Sequence, residues 1–312
     1  MKALAVDLGG THAQCAVVED NKILLAKHLD LDSAQGLSTV LPRLAETFRE
    51  LLAATHLTEK DCAGLSFGSC GLVDSSTSRF LSMNQKWSDA PQLDLVGWSR
   101  RELFLPVRLE NDARMALLGE WYAGAGRGVQ NLVMITLGTG IGGAALIEGK
   151  LLRGKHYQAG NLGGHQPVLF NGRKCTCGSI GCAEAEAAGW SLPLVAGEWP
   201  GFEKSLLAKE PQVNFEALFR LAEARDTVSL AVRDRCLHVW AAAAVGLVHA
   251  FDPEMVIFGG GVMRSAATIL PFIQDYVAKH AWTPWGKVQV RAAELGNDAG
   301  LFGAIPLLSE KN

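Results

Sequence analysis

Residues 4–18 read Leu-Ala-Val-Asp-Leu-Gly-Gly-Thr-His-Ala-Gln-Cys-Ala-Val-Val, and residues 132–147 read Leu-Val-Met-Ile-Thr-Leu-Gly-Thr-Gly-Ile-Gly-Gly-Ala-Ala-Leu-Ile. Each is an apolar, strand-forming run, a glycine turn and a second such run. A polar turn follows in both places, at 19–22 and at 148–150, and then a third apolar run begins at Ile23 and at Leu151. Strand, glycine turn, strand, turn, strand is the reading of both stretches. One glycine hairpin could arise by chance; five elements in matched order predict a duplicated domain core.

The sequence around these hairpins alternates helix and strand. Leu37, Val40, Leu41, Leu44, Phe48, Leu51 and Leu52 recur at helical spacing, with Ser33 as the expected cap. Short strands are expected at 63–67 and 107–109, and a helix from about Ala113. After Cys182 the chain reads as mainly helical to Phe251, where Asp252-Pro253 breaks it. A strand at 255–258 then ends in Gly259-Gly260-Gly261. The alternation predicts an α/β fold. The 312 residues exceed the roughly 250–300 at which a single core stops growing, so two domains are expected.

Bulk chemistry narrows the partners. The chain is 48% hydrophobic and 20% charged with a net charge of −3, ordinary for a globular protein. Its basic residues form no block or stripe, which argues against nucleic acid. The opening apolar run is short and interrupted by Asp7, unlike a secretion signal. Residues 239–251 are Ala-rich, contain His249 and fall short of the ~18 residues a membrane span needs. Seven cysteines without such a signal point to a reducing, cytoplasmic setting.

Three glycine clusters fit phosphate binding. Gly9-Gly10-Thr11 and Gly138-Thr139-Gly140 sit at strand turns, where successive amide N–H groups can cradle an anion. Gly260, in the third cluster, follows a strand and precedes a helix, where backbone approaches a nucleotide closely. None of the three carries the lysine of a P-loop or the spacing of a dinucleotide fingerprint. Asp7 ends a buried strand, where a carboxylate is costly unless partnered. Hydrated Mg²⁺ beside ATP phosphates is one partner; a turn-capping role is the other reading.

Taken in order, Asp7-Leu-Gly-Gly-Thr11, Asn111-Asp112, Gly138-Thr-Gly-Ile-Gly-Gly143 and Cys175-Thr-Cys177-Gly-Ser-Ile-Gly181-Cys182-Ala-Glu184 resemble the ROK family of bacterial sugar kinases and sugar-responsive repressors. The resemblance extends to Gly303-Ala304. It implies the actin-like ATPase (ribonuclease H-like) fold, with two duplicated domains around a cleft where sugar and ATP meet. The expected domains are 1–114, completed by a C-terminal helix 297–312, and 115–296, carrying a zinc loop over 165–184. By the same resemblance the activity is ATP-dependent phosphorylation of a hexose or amino sugar, and the chain is a homodimer.

Residue roles follow from that likeness. Asp112 fits the catalytic base and Asn111 a hydroxyl ligand, although Asn-Asp is also a common helix cap. Cys175, Cys177, Cys182 and His165 make a closed, structural Zn²⁺ set, with disulfide pairing as the rival. His165 can bind metal through one ring nitrogen and offer the other to sugar. Glu184, Asn84 and Gly71 resemble the family's sugar-pocket residues, and Trp87 is either a stacking platform or core. The pattern breaks before the cysteines. Where relatives carry Glu-x-Gly-His, this chain has Asn161-Leu-Gly-Gly-His165, with an uncharged side chain and one extra glycine. Cys70 replaces a common proline, and His12 a frequent lysine.

Rival functions are a non-catalytic sugar or nucleotide sensor, a repressor and an actin-fold chaperone. Intact Asp7 and Asp112 disfavour the sensor, while Asn161 leaves it room. Repressor relatives carry a helix-turn-helix ahead of the first strand, for which Asp7 leaves no space. Chaperones have no use for the His–Cys cluster or Glu184.

Overall fold

A computed structural model of the chain describes residues 1–83 and 86–310. The chain divides into two compact units. One comprises Met1–Gly128, Leu151–Asn161 and Glu294 onward; the other comprises Val129–Lys150 and Leu162–Ala293. The boundary expected after residue 114 falls inside the helix Asp112–Ala123, which stays whole within the first unit. A helix of three turns packs as one body, so the chain leaves the unit only in the loop beyond it.

In the first unit β1 (Lys2–Leu8), β2 (His12–Glu19) and β3 (Lys22–Asp30) form an antiparallel meander. β4 (Cys62–Ser69) follows, then a small hairpin of β5 (Leu72–Asp74) and β6 (Arg79–Ser82), and then β7 (Val107–Asn111). The sheet order is β3-β2-β1-β4-β7, with β1, β4 and β7 parallel. β1 is buried on both faces, as a central parallel strand requires. Its side chains divide by size. Leu4, Val6 and Leu8 join the core under the helix Leu37–Ala54, while Ala3 and Ala5 meet Leu301, Ala304 and Ile305 of the returning C-terminal segment. Small residues on that face leave room for the segment's backbone.

Ser33 does not cap the helix Leu37–Ala54. It opens a short 3₁₀ turn, and the Asp89 carboxylate accepts from Leu37 and Ser38 N–H at 2.7 and 2.9 Å instead. A carboxylate at a helix start is favoured by the dipole as well as by the free N–H groups, and sequence spacing could not locate one 52 residues away.

The closest packing in this unit is at Gly119, where a Cβ would lie 1.9 Å from the Ala299 carbonyl oxygen. Gly→Ala in a helix ordinarily stabilises by about 0.5–1 kcal/mol. Here overpacking of about 1–3 kcal/mol dominates. Gly119→Ala should therefore lower the urea midpoint of unfolding; an unchanged or raised midpoint would refute the close packing.

The second unit repeats the plan. β8 (Leu132–Leu137), β9 (Ile141–Ile147) and β10 (Lys150–Leu151) form the meander, and β11 (Met255–Gly259) and β12 (Gln289–Ala292) run parallel to β8. The order β10-β9-β8-β11-β12 is that of the first sheet, element for element. The long helix Thr227–Phe251 ends at Asp252, whose φ of 46° turns the chain before Pro253. Among the described residues no helix is long and apolar enough to cross a membrane.

Candidate active site

In the first unit β1 delivers Asp7 and the helix after β7 delivers Asp112. Burial, and then the nearby Asp112 charge, push the Asp7 carboxyl up to about 7. Asp112 is half-buried, and desolvation raises its carboxyl; bonds from Ala113 N–H (2.8 Å) and Asn111 Nδ2 (2.9 Å) and the charge of Lys86 oppose the rise. Two half-buried carboxylates that feel each other's charge create a site that attracts cations.

Asn111 is the N-cap of the helix Asp112–Ala123: its Oδ1 accepts from Ala113 and Arg114 N–H, and its Nδ2 donates to Gly71 O at 3.1 Å. Gly71 has φ +92°, and a Cβ there would stand 2.5 Å from Ser82 O. Cap and pocket edge are thus one hydrogen-bonded piece. Asn84 lies outside the described residues.

The turn Gly9-Gly10-Thr11 closes through Gly9 N–H to His12 O at 2.9 Å. Ser33 and Leu31 N–H donate to the Gly10 and Thr11 carbonyls. Trp87 is core and not a stacking platform: it is fully buried, and its Nε1–H donates to Gly9 O at 2.9 Å. The His12 ring stacks on His28 and lies 3.2 Å from the Thr11 hydroxyl.

Sequence reasoning missed the cluster beneath Asp112. Buried Glu110 accepts from Asn111 N–H, Ser75, Arg114 and Arg153, and Arg153 also pairs with Glu310. Arg114, fully buried, donates to Tyr157 O at 2.9 Å and Ala159 O at 2.8 Å. It thereby ties the helix that begins with Asp112 to the segment ending in Asn161. Only the proximity of Glu110 and Arg114 to Asn111-Asp112 in the sequence hinted at this. Breaking such a buried pair by removing one partner costs about 3–5 kcal/mol.

In the second unit the Gly138-Thr139-Gly140 turn is held by Gly189 and Trp190 N–H, which donate to Gly138 O and Thr139 O at 3.0 Å each. Glu184, expected at the sugar, reaches this turn: its Oε2 accepts from Ile141 N–H at 2.9 Å, and its Oε1 accepts from Trp190 Nε1 at 3.3 Å. A Cβ on Gly140 would sit 2.7 Å from Glu184 Oε2, so glycine leaves the carboxylate its place. Gly260, at φ +89°, abuts Leu137 O, which brings the third glycine cluster to the base of the same turn. The extra glycine before His165 also has a packing reason. A Cβ on Gly164 would overlap the Ile141 carbonyl, and one on Gly163 would lie 3.2 Å from Gly143.

His165, Cys175, Cys177 and Cys182 converge, with their ligand atoms all within 4.8 Å of one another. Cys175 Sγ is 3.4 Å from His165 Nδ1, and Cys177 Sγ is 3.7 Å from Cys182 Sγ. A tetrahedron with Zn–S of about 2.3 Å and Zn–N of about 2.0–2.1 Å has edges of roughly 3.5–3.8 Å, so these residues fit a Zn²⁺ ion. All seven cysteines are free thiols. Gly178 and Gly181, at φ +91° and +69°, turn the loop so that Cys175 and Cys182 point inward.

Comparison with known proteins agrees over the whole length. The ROK family model matches residues 3–311. A glucokinase from Thermotoga maritima is 34% identical, covering 100% of this chain and 98% of its own. The structure of a ROK hexokinase from Thermus thermophilus superposes with a TM-score of 0.84 at 29% identity, covering 98% of this chain and 97% of that one. A ROK family glucokinase from Streptomyces griseus, in complex with glucose and AMPPNP, gives 0.75 at 28% identity, covering 98% and 99%. These likenesses identify the fold as the actin-like ATPase fold.

Proposed function

The chain belongs to the ROK family, and on that premise we propose that it transfers the γ-phosphoryl group of ATP to a hydroxyl of a hexose or amino sugar, with Asp112 as the base. The glucokinase relatives support the class, an ATP-dependent sugar kinase. The observation that carries the base assignment is the geometry of Asp112. Both of its neighbours bond to Oδ1, so Oδ2 is the oxygen offered to a substrate. Burial raises its basicity, which suits proton acceptance.

The sugar oxygen bonds to the γ-phosphorus as the bond to the bridging oxygen of ATP breaks; that electron pair leaves with ADP, and the hydroxyl proton passes to Asp112 Oδ2. Asp7 would hold Mg²⁺ through its water shell, and the ion would neutralise charge on the phosphates. In the Gly9-Gly10-Thr11 and Gly138-Thr139-Gly140 turns, Gly9 and Gly138 N–H close the turns themselves, and the N–H groups of Gly10, Thr11, Thr139 and Gly140 would bind phosphate oxygens, with Gly260 against the nucleotide. Gly71, Asn111, Asn161, His165 and Glu184 would line the sugar site. His165, Cys175, Cys177 and Cys182 would hold Zn²⁺ as a closed set, four protein ligands leaving no position for water, and the ion would order the loop that ends in Glu184.

ADP release by the purified protein with Mg-ATP, across hexoses and N-acyl hexosamines, tests this reading. Release that depends on one sugar class is expected. Equal release with and without every sugar would make the protein an ATPase, and no release at all would sink the kinase reading.

A further inference from the structure

Lys86 lies across the Gly9-Gly10-Thr11 turn. A Cβ placed on Gly10 would meet its Cδ at 3.0 Å, its Cε at 3.1 Å and its Nζ at 3.4 Å. Glycine at position 10 is thus what lets the lysine chain lie flat on the turn. The mount beneath is rigid. Trp87, the next residue, is fully buried at φ 46° with its indole on Gly9 O, and Lys86 N–H donates to Met83 O at 3.1 Å. The ammonium itself has no ion-pair partner among the described residues. Its charge is nevertheless felt by Asp112 and by Cys70, whose ionised forms it favours. His12, the other basic side chain at the turn, is engaged with His28 and the Thr11 hydroxyl.

We propose that the Lys86 ammonium is a catalytic cation that holds the γ-phosphoryl group over Gly10 as it passes to the sugar oxygen. The inference rests on the kinase reading above and adds a residue to it. The chemistry requires such a group. Asp7 and Asp112 bring two carboxylates to a place that must receive a highly charged phosphate chain, and their repulsion opposes binding unless cations offset it. An ammonium on a four-carbon stem is a mobile point charge that can follow the phosphoryl group as it shifts between two oxygens. In that arrangement only the terminal phosphoryl group would lie between the phosphate turn and the base, so the cation should distinguish ATP from ADP.

The test compares the wild-type protein with Lys86→Met, Lys86→Arg and His12→Ala. Calorimetric titration with Mg-ADP and Mg-AMPPNP is run beside sugar-dependent ADP release. Lys86→Met should weaken AMPPNP about tenfold or more while leaving ADP within about twofold, and lower kcat/KM for Mg-ATP about 10²-fold. Lys86→Arg should recover most of both, because it keeps the charge. Equal losses for ADP and AMPPNP, or none, would overturn the inference. So would a γ-phosphate-selective loss in His12→Ala with Lys86→Met like wild type, which would move the role to His12. Absence of turnover in the wild type strikes the kinase reading, and the ADP-against-AMPPNP comparison still decides whether Lys86 binds the terminal phosphate.

Discussion

Asp112→Asn should lower sugar-dependent turnover by about 10²–10⁴-fold, the contribution of a positioned general base. The amide is nearly isosteric, and its Oδ1 can keep the bonds from Ala113 N–H and Asn111 Nδ2. What it loses is the ability to take a proton. Folding should not suffer. A carboxylate raised by desolvation is held against that cost, and a neutral amide removes it. The variant should therefore melt at or above the wild-type temperature while sugar affinity stays close to normal. Turnover within tenfold of wild type would eliminate Asp112 as the base. Lost turnover together with a lowered melting temperature would point to damage at the Asn111 cap instead.

The second large effect is expected at the metal cluster. The wild-type protein should carry about one zinc per chain, as four converging ligands imply. Cys182→Ser should abolish stoichiometric zinc and raise KM for the sugar tenfold or more. The reason is local. Cys182 is buried and immediately precedes the helix Ala183–Ala187, which carries Glu184 to the Gly138-Thr139-Gly140 turn. Without a cation, burial and the neighbouring sulfurs of Cys177 and Cys175 push the Cys182 thiol up to about 12, so it keeps its proton beside the other two thiols. Metal binding deprotonates them and supplies the energy that fixes the loop. Elemental analysis and sugar kinetics decide the matter. A metal-free wild type with full sugar affinity would sink the assignment, as would a variant that keeps its zinc.

The parts of the fold legible in the sequence were those written in short-range chemistry. Gly9-Gly10 and Gly138-Thr-Gly140 announced two hairpins because turns demand particular residues at particular places, and both became the centres of matching sheets. The apolar period of 37–52 announced a helix for the same reason. What the sequence hid was long-range. Glu184 and Ile141 are 43 residues apart, and Arg114 meets Tyr157 and Ala159 across a similar distance. Neither pairing has a period or a spacing to betray it. Gly119 drew no reading, and the added glycine before His165 read only as a break in the family pattern; only the carbonyls of Ala299 and Ile141 pressed against Gly119 and Gly164 explain the choice. The cysteine loop was the exception, since its candidate metal ligands come from a short stretch and the histidine just before it.

The division of β1 into a leucine face and an alanine face bears on how the molecule is made. During synthesis β1 and β2 emerge before the second unit, but the residues that cover Ala3, Ala5, Ala16 and Val18 are Leu301, Ala304 and Ile305, which emerge after it. The first-born sheet must therefore wait, half-clad, for the entire second unit to be translated. Contacts of such sequence separation slow folding and leave apolar surface open to aggregation in the interval. A nascent chain stalled short of residue 301 would present an unfinished first unit, a natural client for chaperones and proteases.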